Sequence, residues 1–86
     1  MGRIDRLVIR RDEILLLDYK TDWDVPDALT ADHDYVQQLG FYAMVLGQAH
    51  SGRTVRAAIL WTALPRLDWI EAETLQKTIS NMAAIT

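Results

Sequence analysis

Two aspartates and a lysine interrupt two otherwise apolar stretches near the start of the chain. Asp5 lies within residues 3–10, Arg-Ile-Asp-Arg-Leu-Val-Ile-Arg, and Asp18 and Lys20 close residues 14–20, Ile-Leu-Leu-Leu-Asp-Tyr-Lys. Carboxylates brought together repel, and without compensation one of them is driven to protonate. A divalent cation removes the conflict: Mg²⁺ takes hard oxygen ligands and is held by one or two carboxylates plus water and phosphate. A lysine two positions past the second carboxylate sets an ammonium beside such an ion. There it can orient an attacking water or stabilise charge on a phosphoryl oxygen. The chemistry this set suits is metal-assisted hydrolysis of a phosphodiester. The plainer reading has Asp5 bridging Arg3 or Arg6, and Asp18 paired with Lys20.

Whether the three can meet depends on the elements that carry them. Residues 3–10 are rich in aliphatic and β-branched side chains and read as a strand. Residues 14–20, with four aliphatics in a row, suit a strand buried on both faces, a helical segment being the competing assignment. Arg11-Asp12-Glu13 is too short for anything but a tight connection, so the two strands form a β-hairpin. Side chains alternate faces along a strand, which puts Asp5, Leu7 and Ile9 on one face of the first and Leu16, Asp18 and Lys20 on one face of the second. A two-residue turn at Arg11-Asp12 pairs Arg10 with Glu13 and sets Asp5 opposite Asp18. A turn at Asp12-Glu13 sets Asp5 opposite Lys20. Either register gathers all three on one surface, opposed Cβ atoms lying about 4.5–5.5 Å apart.

Residues 21–34 are polar, contain Pro26 and read as a loop, with Asp32 or Asp34 as cap for the next element. A helix follows from about Tyr35 to Gln48, with Tyr35, Leu39, Tyr42 and Leu46 at helical spacing. Gly40, inside it, points to close packing against a neighbour. Residues 54–62 form a third strand, nearly all apolar and therefore central. Arg66–Ile70 is a short edge strand, and Glu71–Ala84 a final helix with Leu75, Ile79 and Met82 on one side. A hairpin, a helix, a strand and a closing helix make a mixed α/β layer.

Eighty-six residues with half of them apolar and about a quarter charged describe one globular domain or part of one. No apolar run approaches membrane-spanning length, and with no cysteine the chain has neither disulfides nor thiolate metal sites. A cytoplasmic protein fits this composition. The net charge of −3 argues against a dedicated nucleic-acid-coating surface.

Gly2-Arg3-Ile4-Asp5-Arg6-Leu7, then Leu17-Asp18-Tyr19-Lys20-Thr21, then Gln38-Leu39 with Tyr42, resemble the core of the RecB-type nucleases of the PD-(D/E)XK superfamily. Residues 52–62, Gly-Arg-Thr-Val-Arg-Ala-Ala-Ile-Leu-Trp-Thr, are similar to the C-terminal nuclease region of the AddA family of helicase–nuclease subunits. The resemblance implies a restriction-endonuclease-like fold and a Mg²⁺-dependent exonuclease, with Mn²⁺ as a substitute ion. It places Asp5 and Asp18 on the metal together with the backbone carbonyl of Tyr19, and makes Lys20 the catalytic lysine. Gln38 and Tyr42 match the Gln-x-x-x-Tyr signature, four apart on one helix face, turned toward the site or the DNA. DNA and an AddB-like partner subunit in double-strand-break repair are the implied partners.

Family members carry an upstream helix that adds a ligand and closes the site, and the helicase motor has a phosphate loop; neither occurs in these residues. Residues 1–86 therefore read as a partial nuclease domain, with core motifs in 2–62, a C-terminal strand and helix in 66–84, and Met1 as an added start. Such a fragment is expected to be inactive alone and, with an apolar sheet face bare, to self-associate. His33 and His50 read as solvated or locally hydrogen-bonded. Trp61 reads as core, and Trp23, in a polar loop after the lysine, is the best candidate for stacking on a base. Arg3, Arg6, Arg10 and Arg11 could contact phosphates, although Arg6 and Arg10 fall on the face opposite Asp5. The competing function is a non-catalytic nuclease-like module for DNA-end binding or subunit docking.

Overall fold

A computed structural model describes residues 5–85, and the side chains of residues 5–83. Gly2, Arg3 and Ile4 of the first motif lie outside the described residues. The order is β1 (Arg6–Ile9), β2 (Glu13–Lys20), α1 (Asp34–Ala49), β3 (Thr54–Trp61), β4 (Arg66–Trp69) and α2 (Ala72–Ile85). The strands make one mixed sheet in the order β1-β2-β3-β4.

The hairpin takes the first of the two registers. Arg6 pairs with Leu17 and Ile9 with Ile14, and the Arg10 N–H donates to the Glu13 carbonyl at 2.8 Å. Arg11 and Asp12 make the turn with φ negative at both, which is why no Asn-Gly or Asp-Gly marks it. The start of β3 braces this turn: Thr54 N–H donates to the Asp12 carbonyl at 3.0 Å, and Arg53 Nε to the Arg11 carbonyl at 3.2 Å. The first strand is shorter than its sequence suggests, so Asp5 stands just before β1 rather than inside it.

β2 and β3 run parallel, Glu13 beside Thr54 and Lys20 beside Trp61. Parallel neighbours need a crossover, and α1 supplies it. One sheet face is sealed by the helices, with Ile14, Leu16, Ala57, Ile59 and Trp61 packed beneath Val36, Leu39 and Ala43 of α1 and Leu75 of α2. The other face of β2 is only half-buried, at Leu15 and Leu17. This corrects the expectation of burial on both faces: no helix among the described residues covers that side. Val8, Leu67 and Trp69 are exposed there around a hollow of about 150 Å³.

The α1 cap differs from both candidates. Its N-cap is His33, whose Nδ1 accepts the Tyr35 N–H at 3.1 Å. Asp34 is the first helical residue, and Asp32 instead accepts the Thr30 hydroxyl. His50 closes the helix with its ring nitrogen 2.9 Å from Arg53. Gly52 follows at φ +87°, a conformation that suits glycine alone. α2 lies against α1 at Gly40, where the methyl of the buried Thr78 occupies the space a Cβ would need. Gly40→Ala is therefore expected to destabilise the chain by about 1–2 kcal/mol, overpacking outweighing the gain in helix propensity. Urea unfolding would measure it, and the double variant with Thr78→Ser should recover most of the loss.

Candidate active site

The site sits where β2 leaves the sheet under the first turns of α1. Alternation along β2 buries Ile14 and Leu16 and carries the same inward direction on to Asp18 and Lys20. Asp18 is 3% exposed, an unusual burial for a carboxylate. The ammonium of Lys20 lies 3.0 Å from Asp18 Oδ2. Among the described residues no hydrogen bond of good geometry reaches this buried oxygen, and the lysine holds it as an ion pair. The pair is thus held chiefly by charge.

Asp5 joins from the other side. Its Oδ2 accepts the Tyr19 N–H at 2.9 Å, which fixes a residue outside β1 against the end of β2. The N–H and C=O of one strand residue point to the same edge, so the Tyr19 carbonyl is turned toward the Asp5 side as well. Burial pushes the Asp18 carboxyl above its ordinary range, and a hydrogen bond shared with Asp5 pushes it further; Lys20 opposes both. Two acids brought together so that one resists ionising are the arrangement a divalent ion would resolve. No group of three or more acidic, His or Cys side chains gathers among the described residues. A metal here would rest on two carboxylates, a backbone carbonyl and water, a donor set that suits Mg²⁺.

Gln38 reaches the site: Lys20 Nζ lies 3.5 Å from its Oε1, the outer limit of a hydrogen bond. Tyr42, one turn on, is half-buried against the core with the Phe41 ring on its edge at 5.8 Å. Tyr19 points its side chain to the open face and is 40% exposed. Trp61 is fully buried, its indole N–H donating to Asp68 at 2.8 Å. Trp69 is 45% exposed beneath the Arg56 guanidinium, and Trp23 is 86% exposed. Arg10 is taken up by an ion pair with Glu13 at 3.8 Å.

Sequence reasoning missed Tyr35. Its periodicity reads as core, yet its ring centroid lies 4.2 Å from Lys20 Nζ, and its hydroxyl donates to Asp22 at 2.5 Å. The signal available was its position three residues before Gln38, on the same helix face.

A family model for the PD-(D/E)XK nuclease superfamily matches residues 1–84. No curated protein matches the chain significantly, and no solved structure does. The four-stranded mixed sheet with two helices is consistent with the restriction-endonuclease-like fold of that superfamily. No helix among the described residues is long and apolar enough to cross a membrane.

Proposed function

Because the chain belongs to the PD-(D/E)XK nuclease superfamily, we propose that it is the nuclease module of a RecB/AddA-like helicase–nuclease, hydrolysing DNA phosphodiester bonds during double-strand-break repair in the cytoplasm. The observation that carries this reading is the buried Asp18 carboxylate, charge-paired to Lys20 at 3.0 Å with Asp5 held beside it by the Tyr19 N–H at 2.9 Å. A second carboxylate beside a buried ion pair adds repulsion that a structural pair has no use for and that a divalent ion removes.

Asp5, Asp18 and the Tyr19 carbonyl would hold Mg²⁺, with Mn²⁺ as a substitute. When bound, the ion supplies Lewis-acid polarisation of the phosphoryl group and a more acidic water. Lys20 orients the attacking water and stabilises charge on the phosphoryl oxygen. Gln38 holds the lysine from the helix side, and Gln38 and Tyr42 face the substrate strand. An AddB-like subunit and DNA are the partners of this reading, and the open sheet face is the surface through which the isolated residues would self-associate.

The test is cleavage of linear and covalently closed circular DNA by the complete protein carrying these residues. Mg²⁺-dependent loss of the linear substrate, sparing of the circle, and arrest by a chelator are expected. Cleavage that persists in the chelator removes the metal-dependent mechanism, and equal cutting of both substrates removes the exonuclease assignment.

A further inference from the structure

Lysine is a compact charge on a flexible four-carbon stem, so a strand that fixes its backbone does not fix its amine. In this chain three groups bound the Lys20 ammonium: Asp18 Oδ2 at 3.0 Å, Gln38 Oε1 at 3.5 Å and the face of the Tyr35 ring at 4.2 Å. Asp18 would be engaged elsewhere once a metal is bound, and the Gln38 contact is long. The ring is the remaining wall, and it is itself held on three sides. It packs against the fully buried Trp61 with centroids 5.9 Å apart and against His33 at 5.1 Å. Its hydroxyl donates to Asp22 at 2.5 Å, two residues beyond the lysine.

We propose that Tyr35 is a positioning residue for the nuclease reaction, its ring face aiming the Lys20 ammonium at the reacting phosphate while its hydroxyl, through Asp22, fastens the chain as it leaves β2. The proposal rests on the nuclease reading above. Cation–π attraction draws the ammonium onto the ring without consuming its N–H donors in a fixed direction. The donors thus stay available to a water or a phosphoryl oxygen. The hydroxyl keeps its proton, since the Asp22 carboxylate raises the Tyr35 pKa to about 12, and the tether to Asp22 therefore holds across the working range of pH. Neither contact belongs to the Gln-x-x-x-Tyr pair, and the two act on one segment, Lys20 to Asp22.

Two variants separate the face from the hydroxyl. Tyr35→Phe keeps the ring and loses the bond to Asp22; Tyr35→Leu removes the ring. The chain has only two lysines, Lys20 and the exposed Lys77, so ¹³C-lysine labelling gives one reporter and one internal reference. Ring current should move the Lys20 ε-methylene protons upfield of those of Lys77 in the wild type and in Tyr35→Phe, and not in Tyr35→Leu. On linear DNA with Mg²⁺, kcat of the complete protein should fall roughly tenfold in Tyr35→Leu with KM within about twofold, and only about twofold to threefold in Tyr35→Phe, which loses the tether and keeps the ring. An unshifted Lys20 in the wild type, a shift that survives Tyr35→Leu, unchanged kcat in Tyr35→Leu, or equal damage by both variants overturns the proposal. Should Tyr35→Leu not fold, the wild-type shift and the Tyr35→Phe results decide, loss of the shift in Tyr35→Phe or an unchanged kcat there counting against it. A wild-type protein with the shift intact that cuts no DNA with Mg²⁺ or Mn²⁺ brings down the nuclease reading and the catalytic role together, leaving Tyr35 as a brace of the fold.

Discussion

Asp18→Asn is expected to abolish metal-dependent cleavage and, in the metal-free chain, to raise the melting temperature. The first effect follows from removing the more buried of two metal-holding carboxylates. Loss of several kcal/mol of metal-borne stabilisation corresponds to a fall of about 10³-fold or more in rate. The second follows from the carboxylate's surroundings. Burial first, and then the shared hydrogen bond with Asp5, raise its pKa, so the ionised form is less at home in the folded state than in the unfolded chain. A raised folded pKa stabilises fully below the unfolded value of about 4, and that contribution is lost as pH climbs through the folded value. The metal-free wild type should therefore lose stability as pH rises from about 4 through the raised Asp18 pKa. Asp18→Asn should lack that decline. At neutral pH the metal-free variant should therefore melt above the wild type. Mg²⁺ should stabilise the wild type increasingly as pH rises over the same interval, because binding must displace the proton, and should do nothing for the variant. Scanning calorimetry at several pH values, with and without Mg²⁺, measures all of this. A variant less stable than the wild type at neutral pH would show that the carboxylate is held by contacts rather than strained by burial.

Lys20→Met is expected to show the opposite stability response with a similar loss of activity. The methionine keeps most of the apolar stem that packs beside Tyr35 and removes the charge. Removing the group that stabilises transition-state charge costs about 10²–10³-fold in kcat. Asp18, 3% exposed, then faces Asp5 with no counter-charge. The metal-free chain should lose about 1–3 kcal/mol at neutral pH. Unlike Asp18→Asn, this variant should still bind Mg²⁺ and regain its stability on binding, since a repelling ammonium has left while both carboxylates remain. Isothermal titration with Mg²⁺ or Mn²⁺ alongside single-turnover cleavage separates the two roles. Cleavage near wild-type rates would remove Lys20 from the mechanism. Loss of metal binding would mean that the lysine organises the carboxylates rather than the reaction.

Much of this site is legible before any coordinates. The two-residue periodicity of a strand places Asp18 and Lys20 on one face whatever surrounds them, and the short link at Arg11-Asp12 restricts the hairpin to two registers, both of which bring Asp5 to that face. The central position of β3 and the close approach at Gly40 also follow from composition, because a run without polar residues and a glycine inside a helix both need a neighbour. These features depend on backbone geometry within a few residues, which sequence spacing reports directly.

Other features belong to the tertiary structure alone. His33 rather than Asp32 or Asp34 caps α1, because the turn of the preceding loop decides which side chain meets the first free N–H. The parallel pairing of β2 with β3 is set by the crossover through α1, and it buries only one face of β2 under helices. The depth of Asp18 and the aim of the Lys20 ammonium depend on what α1 lays over the end of the strand. Spacing along a strand fixes the side from which a side chain departs. Where a long, charged side chain ends is fixed by the groups around its tip, and for Lys20 two of those, Tyr35 and Gln38, come from a helix more than a dozen residues away.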